Sequence, residues 1–478
     1  MYLPVDLPFA RRFRESMAPV LLGCYAAAIA LTPTVTGKLI LLGPLCAAAL
    51  LSWILFRPGR WLYVFFFSLL ALPPLPAANG GDSGIHVAPL VAAIGVLVGL
   101  MRFHVWRRLR GSLALAFIVF LVILLMSTGF AAFYSGTQIA IGSLVRVFLF
   151  SLGVYVFAYT VAANAEESPD PLKFARFLFW LATGVVVFAC FDFYFQFPAP
   201  AGYGPQFVWV GEDVIRRAQG LFYEASTLGN FCAFFLVLIL VCLFHPKSDI
   251  PVSKPFLGAA GAVFLTALIF SYSRGSVINL VCAAVALAWL RRGSVRLKRG
   301  RALMALICLT LTAGIAVQTL LPSFSANYWS RITGTIQSIS SSPDSVLSGR
   351  LTSWIFLSDF LQRQPWTAIF GIGYKTLPYS DYAGATVVAD NTYLQLLVET
   401  GIIGLLSFLA LNTAILRTGL RAARSSRPTG RIFGEWIFCF WVGQAVQMLS
   451  GDLITYWRVL PVYFWVLAIA AREARGTA

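Results

Sequence analysis

The chain has 478 residues, of which 59% are hydrophobic and 12% are charged, and its formal net charge is +17. Because an average soluble domain has about 25% charged residues, this composition excludes an ordinary soluble protein. The lysines and arginines lie mainly in short clusters between apolar runs. Clusters of that kind orient membrane helices, so the positive charge does not indicate nucleic-acid binding.

Apolar runs long enough to cross about 30 Å of hydrocarbon recur from one end of the chain to the other. They predict an all-α fold, a polytopic transmembrane helical bundle of about 12–14 helices. In chain order the predicted helices span 17–33, 38–56, 61–77, 87–101, 112–131, 139–163, 174–196, 225–244, 255–271, 275–290, 302–321, 390–416, 432–450 and 454–471. The residues before Met17 are interpreted as a cytosolic lead-in and not as a cleaved signal peptide.

Basic clusters set the predicted orientation, because cytosolic loops of membrane proteins are enriched in Lys and Arg. The clusters lie at 11–14, 57–60, 102–110, 291–301, 417–431 and 472–475. With all of them inside, both termini are cytoplasmic and two long loops face outwards, at 197–224 and 322–389. We therefore expect N-terminal helices (1–224), central helices (225–321), a large outer loop (322–389) and C-terminal helices (390–478).

The cysteines and histidines of this sequence do not form a metal-binding pattern. The eight cysteines all fall inside apolar runs without CxxC spacing, as small buried hydrophobes do. The three histidines, His86, His104 and His245, are far apart in sequence, and none lies near a cluster of acids. We expect no metal site and no cofactor.

Arginines on the outer side contradict the charge bias and therefore need a reason. Arg216, Arg217, Arg274 and Arg350 all lie on that side. A guanidinium keeps its charge and presents forked donors that suit phosphate oxygens, so these arginines predict a diphosphate site. The alternative for each is a solvated or ion-paired loop arginine. Arg146 lies inside a predicted helix, where we expect it to pair with a buried acid or a carbonyl.

Two acids near predicted helix starts are candidates for handling a sugar hydroxyl, namely Glu224 in "FYEASTLGN" and Asp390 in "ADNTY". A carboxylate accepts a proton or orients a nucleophile. The alternative is an N-cap on the following helix, and Asn391 adds to that helix-start signature. Trp354 and Tyr374 lie in the large outer loop, where aromatic rings beside polar groups either face a sugar or pack the loop.

Five segments in order between 216 and 406 resemble the O-antigen ligase and O-antigen polymerase superfamily of bacterial envelope proteins. They are "RRAQGLFYEASTLGNF", "SYSRGS", "SGRLTSW", "FGIGY" and "DNTYLQLLVETGIIGLL". The resemblance implies a GT-C-like, inverting, metal-independent glycosyltransferase of the bacterial inner membrane, with its site on the periplasmic face. Its substrates would be an undecaprenyl-diphosphate-linked oligosaccharide and a glycan or lipid A–core acceptor. Membrane lipids and a chain-length regulator are the other implied partners.

The same resemblance implies roles for particular residues. Arg217 (or Arg216) and Arg274 would bind the diphosphate, Arg350 would support the loop or donor, and Asp390 would occupy the acceptor-side position. Ligases of this superfamily resemble the Asp390 motif with His-Asn at its start, whereas this chain has Asp390-Asn391 and no histidine in the long loop. We therefore expect a polymerase, with a ligase acting on lipid A–core or protein as the alternative.

Two other classes remain open from the sequence. A lipid-linked glycan transporter or flippase would show internal repeats and charges at mid-membrane in several helices, and a non-catalytic assembly or channel protein would have a tolerant outer loop. The aromatic runs "WLYVFFF" and "FDFYFQF" either line a groove for a polyprenyl tail or form core and interface belts.

Overall fold

The computed structural model describes most of the chain from residue 49 onwards. The described residues are 49–74, 86–101, 111–163, 168–197, 204–210, 213–222, 224–292 and 350–475, with the isolated residues 31–32, 34, 42–43, 106, 109, 318–319, 326, 329 and 333. The chain divides into two units, Met1–Arg60 and Trp61–Ala478. In the first unit, residues 49–56 are helical, and Arg60 donates to the carbonyl of Trp53 at 3.0 Å while its guanidinium lies over that indole.

The second unit is built almost wholly from helices. They are α1 (Trp61–Ala71), α2 (Val87–Leu100), α3 (Ser112–Ser135), α4 (Thr137–Ala162), α5 (Pro171–Phe195), α6 (Ala225–Leu243), α7 (Lys254–Phe270), α8 (Arg274–Leu290), α9 (Arg350–Arg363), α10 (Thr367–Phe370), α11 (Thr392–Ala423), α12 (Pro428–Gln447) and α13 (Leu460–Arg475). Six helices among the described residues are long and apolar enough to cross a membrane: α3, α4, α5, α6, α11, and α12 with the short turn after it. The protein is therefore an all-α polytopic membrane protein.

The predicted spans agree with most of these helices and fail at particular ends. Helix α1 stops at Ala71 instead of 77, α11 runs on to Ala423, and α13 begins only at Leu460. The predicted helices at 17–33 and 302–321 lie outside the described residues apart from 31–32 and 318–319, and 38–56 is described only in part. The division into four segments stays a prediction.

The end of α1 is capped by a distant arginine that the sequence did not indicate. Arg458, which is buried, donates to the carbonyls of Leu69 at 2.7 and 2.9 Å and of Leu72 at 3.0 Å. Carbonyls in the last turn of a helix have no partner within the helix, and that end carries partial negative charge. The arginine therefore ends α1 and ties it to the segment before α13.

The centre of the second unit contains a polar network within apolar helices. Asn230 on α6 donates its amide to Gln444 and Gln447 on α12, at 2.7 and 2.8 Å. Asn279 on α8 donates to the same two glutamines, and Tyr463 on α13 donates to Asn230 at 2.7 Å. All are buried. Hydrogen bonds between side chains join helices where apolar contacts alone give little specificity, so this network sets the register of α6, α8, α12 and α13.

The two segments predicted as outer loops contain regular structure that the loop prediction missed. Residues Phe207–Val210 and Asp213–Arg216 form a two-stranded antiparallel hairpin, β1 and β2, in which Phe207 pairs with Arg216. In the long outer loop, the described part begins with helices α9 and α10 and then continues without regular structure to Asn391. The described half of this loop is therefore an ordered part of the protein.

The structure bears on three of these expectations. Arg146 on α4 lies over the ring of Tyr379, 4.3 Å from its centroid. This contact with an aromatic ring differs from the expected pairing with an acid or a carbonyl. Among the described residues, His245 lies beside a single acid, 3.1 Å from Glu435, because the end of α6 packs against the start of α12. The run "WLYVFFF" is mainly core, since Trp61 and its apolar neighbours are buried. The run "FDFYFQF" instead exposes four of its aromatic rings.

Candidate active site

Glu224 occupies the N-cap position of α6 without acting as a cap. Its carboxylate makes no hydrogen bond to the helix backbone and accepts instead from the hydroxyl of Ser226 at 3.0 Å. The backbone carbonyl of Glu224 accepts from Thr227 and Leu228, which starts the helix. The position thus fixes the backbone while leaving the carboxylate available, which the capping alternative did not predict.

The two adjacent arginines have different surroundings. Arg216 pairs with Asp192 of α5 at 3.2 Å and donates to the carbonyl of Phe197. Arg217 donates from Nε to the carbonyl of Ser271 at 2.8 Å and interacts electrostatically with Glu224. Arg216 is therefore held by α5 and its C-terminal end, and Arg217 is the one that joins the acids of the site.

Arg274 is the first residue of α8 and follows Ser273, whose hydroxyl accepts from the amide of Ser276. It is half-buried, and it lies three residues from the Ser271 carbonyl that receives Arg217. The next residue, Gly275, packs against Ser450, where a Cβ atom would lie 3.2 Å from the hydroxyl. A helix N-terminus favours anions, so an arginine at this point adds to a local positive potential.

Asp390 and Asn391 have different roles: Asn391 is the N-cap of α11, and Asp390 supplies a carboxylate to the site. The side chain of Asn391 caps α11, accepting from the amides of Tyr393 and Leu394 at 3.0 and 3.1 Å. Asp390 makes no cap and adopts a left-handed backbone conformation with φ 45°. Its carboxylate accepts from Arg350 at 3.2 Å and is 43% exposed. The capping alternative is therefore wrong for Asp390 and holds for Asn391.

The two aromatic candidates in the loop, Trp354 and Tyr374, both contact other parts of the protein. The indole of Trp354 on α9 donates to the carbonyl of Ala389 at 2.7 Å, which fixes the residue before Asp390. Tyr374 is buried, and burial raises the pKa of its phenol. Both side chains support the loop; the ring of Tyr374 is buried, whereas Trp354 is half-buried.

The segment "FGIGY" is attached to a break in α11. Gly401 leaves helical geometry there, with φ 70°, and a Cβ atom at this glycine would lie 2.7 Å from the backbone nitrogen of Phe370. The amides of Ile372 and Gly373 donate to the carbonyls of Val398 and Glu399, at 3.1 and 2.9 Å. The break exposes carbonyls that a straight helix would use internally, and the loop occupies them.

Glu399, which is fully buried, completes this attachment. Its carboxylate accepts from the amide of Leu377 at 3.1 Å and from the side chain of Gln395 at 3.2 Å, while its carbonyl accepts from Ser127 on α3. Burying a carboxylate is costly unless hydrogen bonds compensate, and these bonds do so. The acid thus anchors the loop between α3 and α11.

Lys375 and Asp452 form an ion pair that the sequence analysis did not identify. Lys375 has a left-handed backbone with φ 58°, its side chain is 4% exposed, and its ammonium contacts the Asp452 carboxylate. Burial lowers the pKa of Lys375 to about 8, while Glu399, Glu224 and Asp390 act to raise it and Arg146 adds to the lowering. The only signal in the sequence was the position of this lysine directly after "FGIGY".

Electrostatic interactions between these groups indicate that the separate segments lie near one another. Burial raises the pKa of Glu224 and the charge of Asp390 adds to that rise, whereas Ser226, Lys375 and Arg217 oppose it. Burial lowers the pKa of Arg217, with Arg350 acting in the same direction and Glu224 against it. Two carboxylates and three cations are therefore close enough to influence one another. Within the described ranges no three His, Cys, Asp or Glu side chains lie together as metal ligands would.

Comparison with known proteins covers part of this site, and Arg217, Glu224 and Asp452 lie outside the matched range. Residues 259–409 match the family model described as O-antigen ligase, a range that includes Arg274, Arg350, Lys375 and Asp390. No curated protein matches the chain at a significant level. The match over residues 259–409 supports an activity of the O-antigen ligase or polymerase type. The match and the polytopic helical fold support membership of the O-antigen ligase and polymerase superfamily.

Proposed function

We propose that this protein is a polysaccharide polymerase of the bacterial inner membrane. It transfers a glycan from undecaprenyl diphosphate to a sugar hydroxyl on the periplasmic face, with inversion at the anomeric carbon and without a metal ion. Both termini lie in the cytoplasm. The observation that best supports the proposal is the meeting of two carboxylates, Glu224 and Asp390, with the cations Arg217, Arg350 and Lys375.

The chemistry follows from the charges. The oxygen of the acceptor hydroxyl forms a bond to the anomeric carbon, and the bond between that carbon and the diphosphate oxygen breaks. The hydroxyl proton passes to a carboxylate of the protein, and the polyprenyl diphosphate leaves with the electron pair. Arg217 and Arg274 stabilise the charge that builds on the leaving phosphate, as fixed cations do in a site shielded from water.

Glu224 and Asp390 are unequal candidates for the proton acceptor. The pKa of Glu224 is raised, so it lies nearer to neutral pH than that of an ordinary carboxyl group. A general base works best when its pKa is near the working pH, so Glu224 is the better candidate. Asp390 is more exposed and is held by Arg350, an arrangement that suits orienting the acceptor hydroxyl. We therefore assign proton transfer to Glu224 and acceptor positioning to Asp390.

A groove for the polyprenyl tail is best placed at the outer end of α5. Phe191, Tyr194, Phe195 and Phe197 expose 54%, 65%, 57% and 42% of their surface, and Phe197 lies two residues beyond the end of the helix. The carbonyl of Phe197 accepts from Arg216, the neighbour of Arg217. Aromatic side chains at this depth suit contact with the lipid.

A ligase is the second candidate, because the family model that matches residues 259–409 is described as O-antigen ligase. The same carboxylates and cations would serve either reaction, and only the acceptor would differ. Against a ligase stands the absence of a histidine from the start of "DNTYLQLL" and from the long outer loop.

The deciding experiment uses purified protein in nanodiscs with undecaprenyl-diphosphate-linked repeat units as the only sugar substrate. A ladder of repeat multiples on a gel, confirmed by mass spectrometry, is the expected result for a polymerase. Absence of a ladder combined with transfer after addition of lipid A–core would make the protein a ligase. No transfer to either acceptor would overturn the proposed glycosyl transfer.

A further inference from the structure

We propose that Lys375 is a positioning residue of the site, which holds the Asp452 segment in place and keeps the Glu224 carboxylate in its charged form. This inference rests on the proposed function, because it gives Glu224 the role of proton acceptor. Neither residue of the Lys375–Asp452 pair belongs to the arginine and acid set expected from the sequence.

The first argument is the place of the pair in the fold. Lys375 lies in the segment that is attached to the break in α11, and Asp452 lies in the connection between α12 and α13. The ion pair therefore joins two segments that no helix joins. The same connection is held a second time by Thr392 of α11, whose hydroxyl donates to the carbonyl of Gly451 at 2.7 Å and accepts from the amide of Leu453.

The second argument is what the connection carries. Tyr456 lies four residues beyond Asp452, is buried, and interacts with Glu224, Ser226 and Arg217. Fixing Asp452 thus fixes the wall of the site next to Glu224. A lysine on a flexible four-carbon stem would lose considerable entropy when ordered in this way, and the ion pair compensates for that loss.

The third argument is charge. The groups that face Glu224 are the cations Arg217 and Lys375, the acid Asp390, the phenol of Tyr456 and the hydroxyl of Ser226. Lys375 in turn faces Asp452, Glu399, Asp390, Glu224, Arg146 and the ring of Tyr374. Loss of its positive charge leaves Asp390 repelling Glu224 with only Ser226 and Arg217 to oppose it. The Glu224 carboxylate would then hold its proton to higher pH.

The test compares Lys375→Met and Lys375→Arg with the wild type across a range of pH. In Lys375→Met we expect the acid limb of kcat/KM to move up by about one pH unit, as loss of a nearby opposite charge does. Lys375→Arg keeps the acid limb in place. Arginine keeps its charge at every pH used, so Lys375→Arg also removes any basic limb that comes from loss of the lysine proton. Equal pH profiles in all three proteins would overturn the proposal.

A second measurement does not depend on activity. Infrared difference spectra recorded against pH report the protonated carboxyl band of Glu224, which is assigned by its loss in Glu224→Gln. Lys375→Met is expected to raise the midpoint of that band by about one pH unit, and an unchanged midpoint would overturn the proposal. If the wild type transfers no glycan, the proposed function fails while this readout still decides the role of Lys375.

Lys173→Met is the matched control, because Lys173 lies exposed at the start of α5 and interacts with none of the residues of the site. It should leave both the pH profile and the carboxyl band unchanged. Asp452→Asn tests the other half of the pair: it keeps the lysine charge and should leave the acid limb in place while it raises KM.

Discussion

The guanidinium of Arg350 lies 3.2 Å from the carboxylate of Asp390, and this ion pair joins the first residue of α9 to the residue before the N-cap of α11. The two residues are exposed by 27% and 43%, so water screens the pair and its contribution to stability is at most about 1 kcal/mol. Its value lies in geometry: it orients an acid in a strained left-handed conformation at the site.

Arg350→Ala should therefore lower transfer strongly while it hardly changes the unfolding temperature. We expect at least about a tenfold loss of kcat, since misplacing a positioning group by about 1 Å can cost a hundredfold. Glycan transfer and thermal unfolding in detergent measure the two effects. Arg363→Ala, at the exposed opposite end of the same helix, is the control and should retain full activity. An equal loss in both variants would contradict the assigned role of Arg350.

Asp390→Asn and Asn391→Ala should have opposite consequences. Asn391 supplies the cap of α11, and loss of an N-cap costs about 1 kcal/mol. Asp390 contributes no cap, and asparagine tolerates its left-handed backbone well. We expect Asn391→Ala to lower the unfolding temperature, and Asp390→Asn to lower turnover far more than donor binding. Loss of stability in Asp390→Asn would restore the capping interpretation.

The pH dependence of transfer should report Glu224. Because its pKa is raised, the carboxylate is protonated below an unusually high pH, and a general base in that form is inactive. The rate should consequently fall as the pH drops through this raised pKa. Glu224→Gln should remove this limb together with most of the activity, whereas Asp390→Asn should retain the limb and move it to lower pH, because the charge of Asp390 adds to the raised pKa. A limb that survives in Glu224→Gln would transfer the role of base to another group.

Arg274→Ala should abolish transfer without loss of expression or thermal stability. The residue is half-buried at the N-terminus of α8, where its charge and the helix dipole act together on an anion. Arg274→Lys should retain part of the activity, because a lysine keeps the charge but loses the forked donors. Binding of undecaprenyl diphosphate, measured for all three proteins, should follow the same order. Full activity in Arg274→Ala would exclude it from the diphosphate site.

Gly401→Ala should destabilise the protein by about 2 kcal/mol or more. A left-handed conformation costs an ordinary residue roughly 1–2 kcal/mol, and the added methyl would also meet the backbone of α10. Gly258→Ala on α7 is the control, because a Cβ atom there meets nothing within 4 Å and alanine favours helix by about 1 kcal/mol. Thermal unfolding of the two variants should shift in opposite directions.

The sequence by itself determined the class of protein. Apolar runs of membrane length are a one-dimensional property, so helices such as α3 to α8 could be located from the chain alone, with errors only at certain ends. It also supplied the candidate residues that the resemblance indicated, among them Arg217, Arg274, Arg350, Asp390 and Glu224. The sequence could not show that Arg216 pairs with Asp192 while its neighbour Arg217 turns to Ser271 and Glu224.

Only the tertiary structure decided which groups meet. Lys375 and Asp452 are separated by 77 positions, from 375 to 452, and become partners because the break at Gly401 receives the outer loop. Arg458 meets the end of α1 across almost 400 residues. Such pairings depend on how helices pack and on where their backbones leave hydrogen-bonding groups unpaired. Hydropathy and residue type carry no record of either, so the site became visible only in three dimensions.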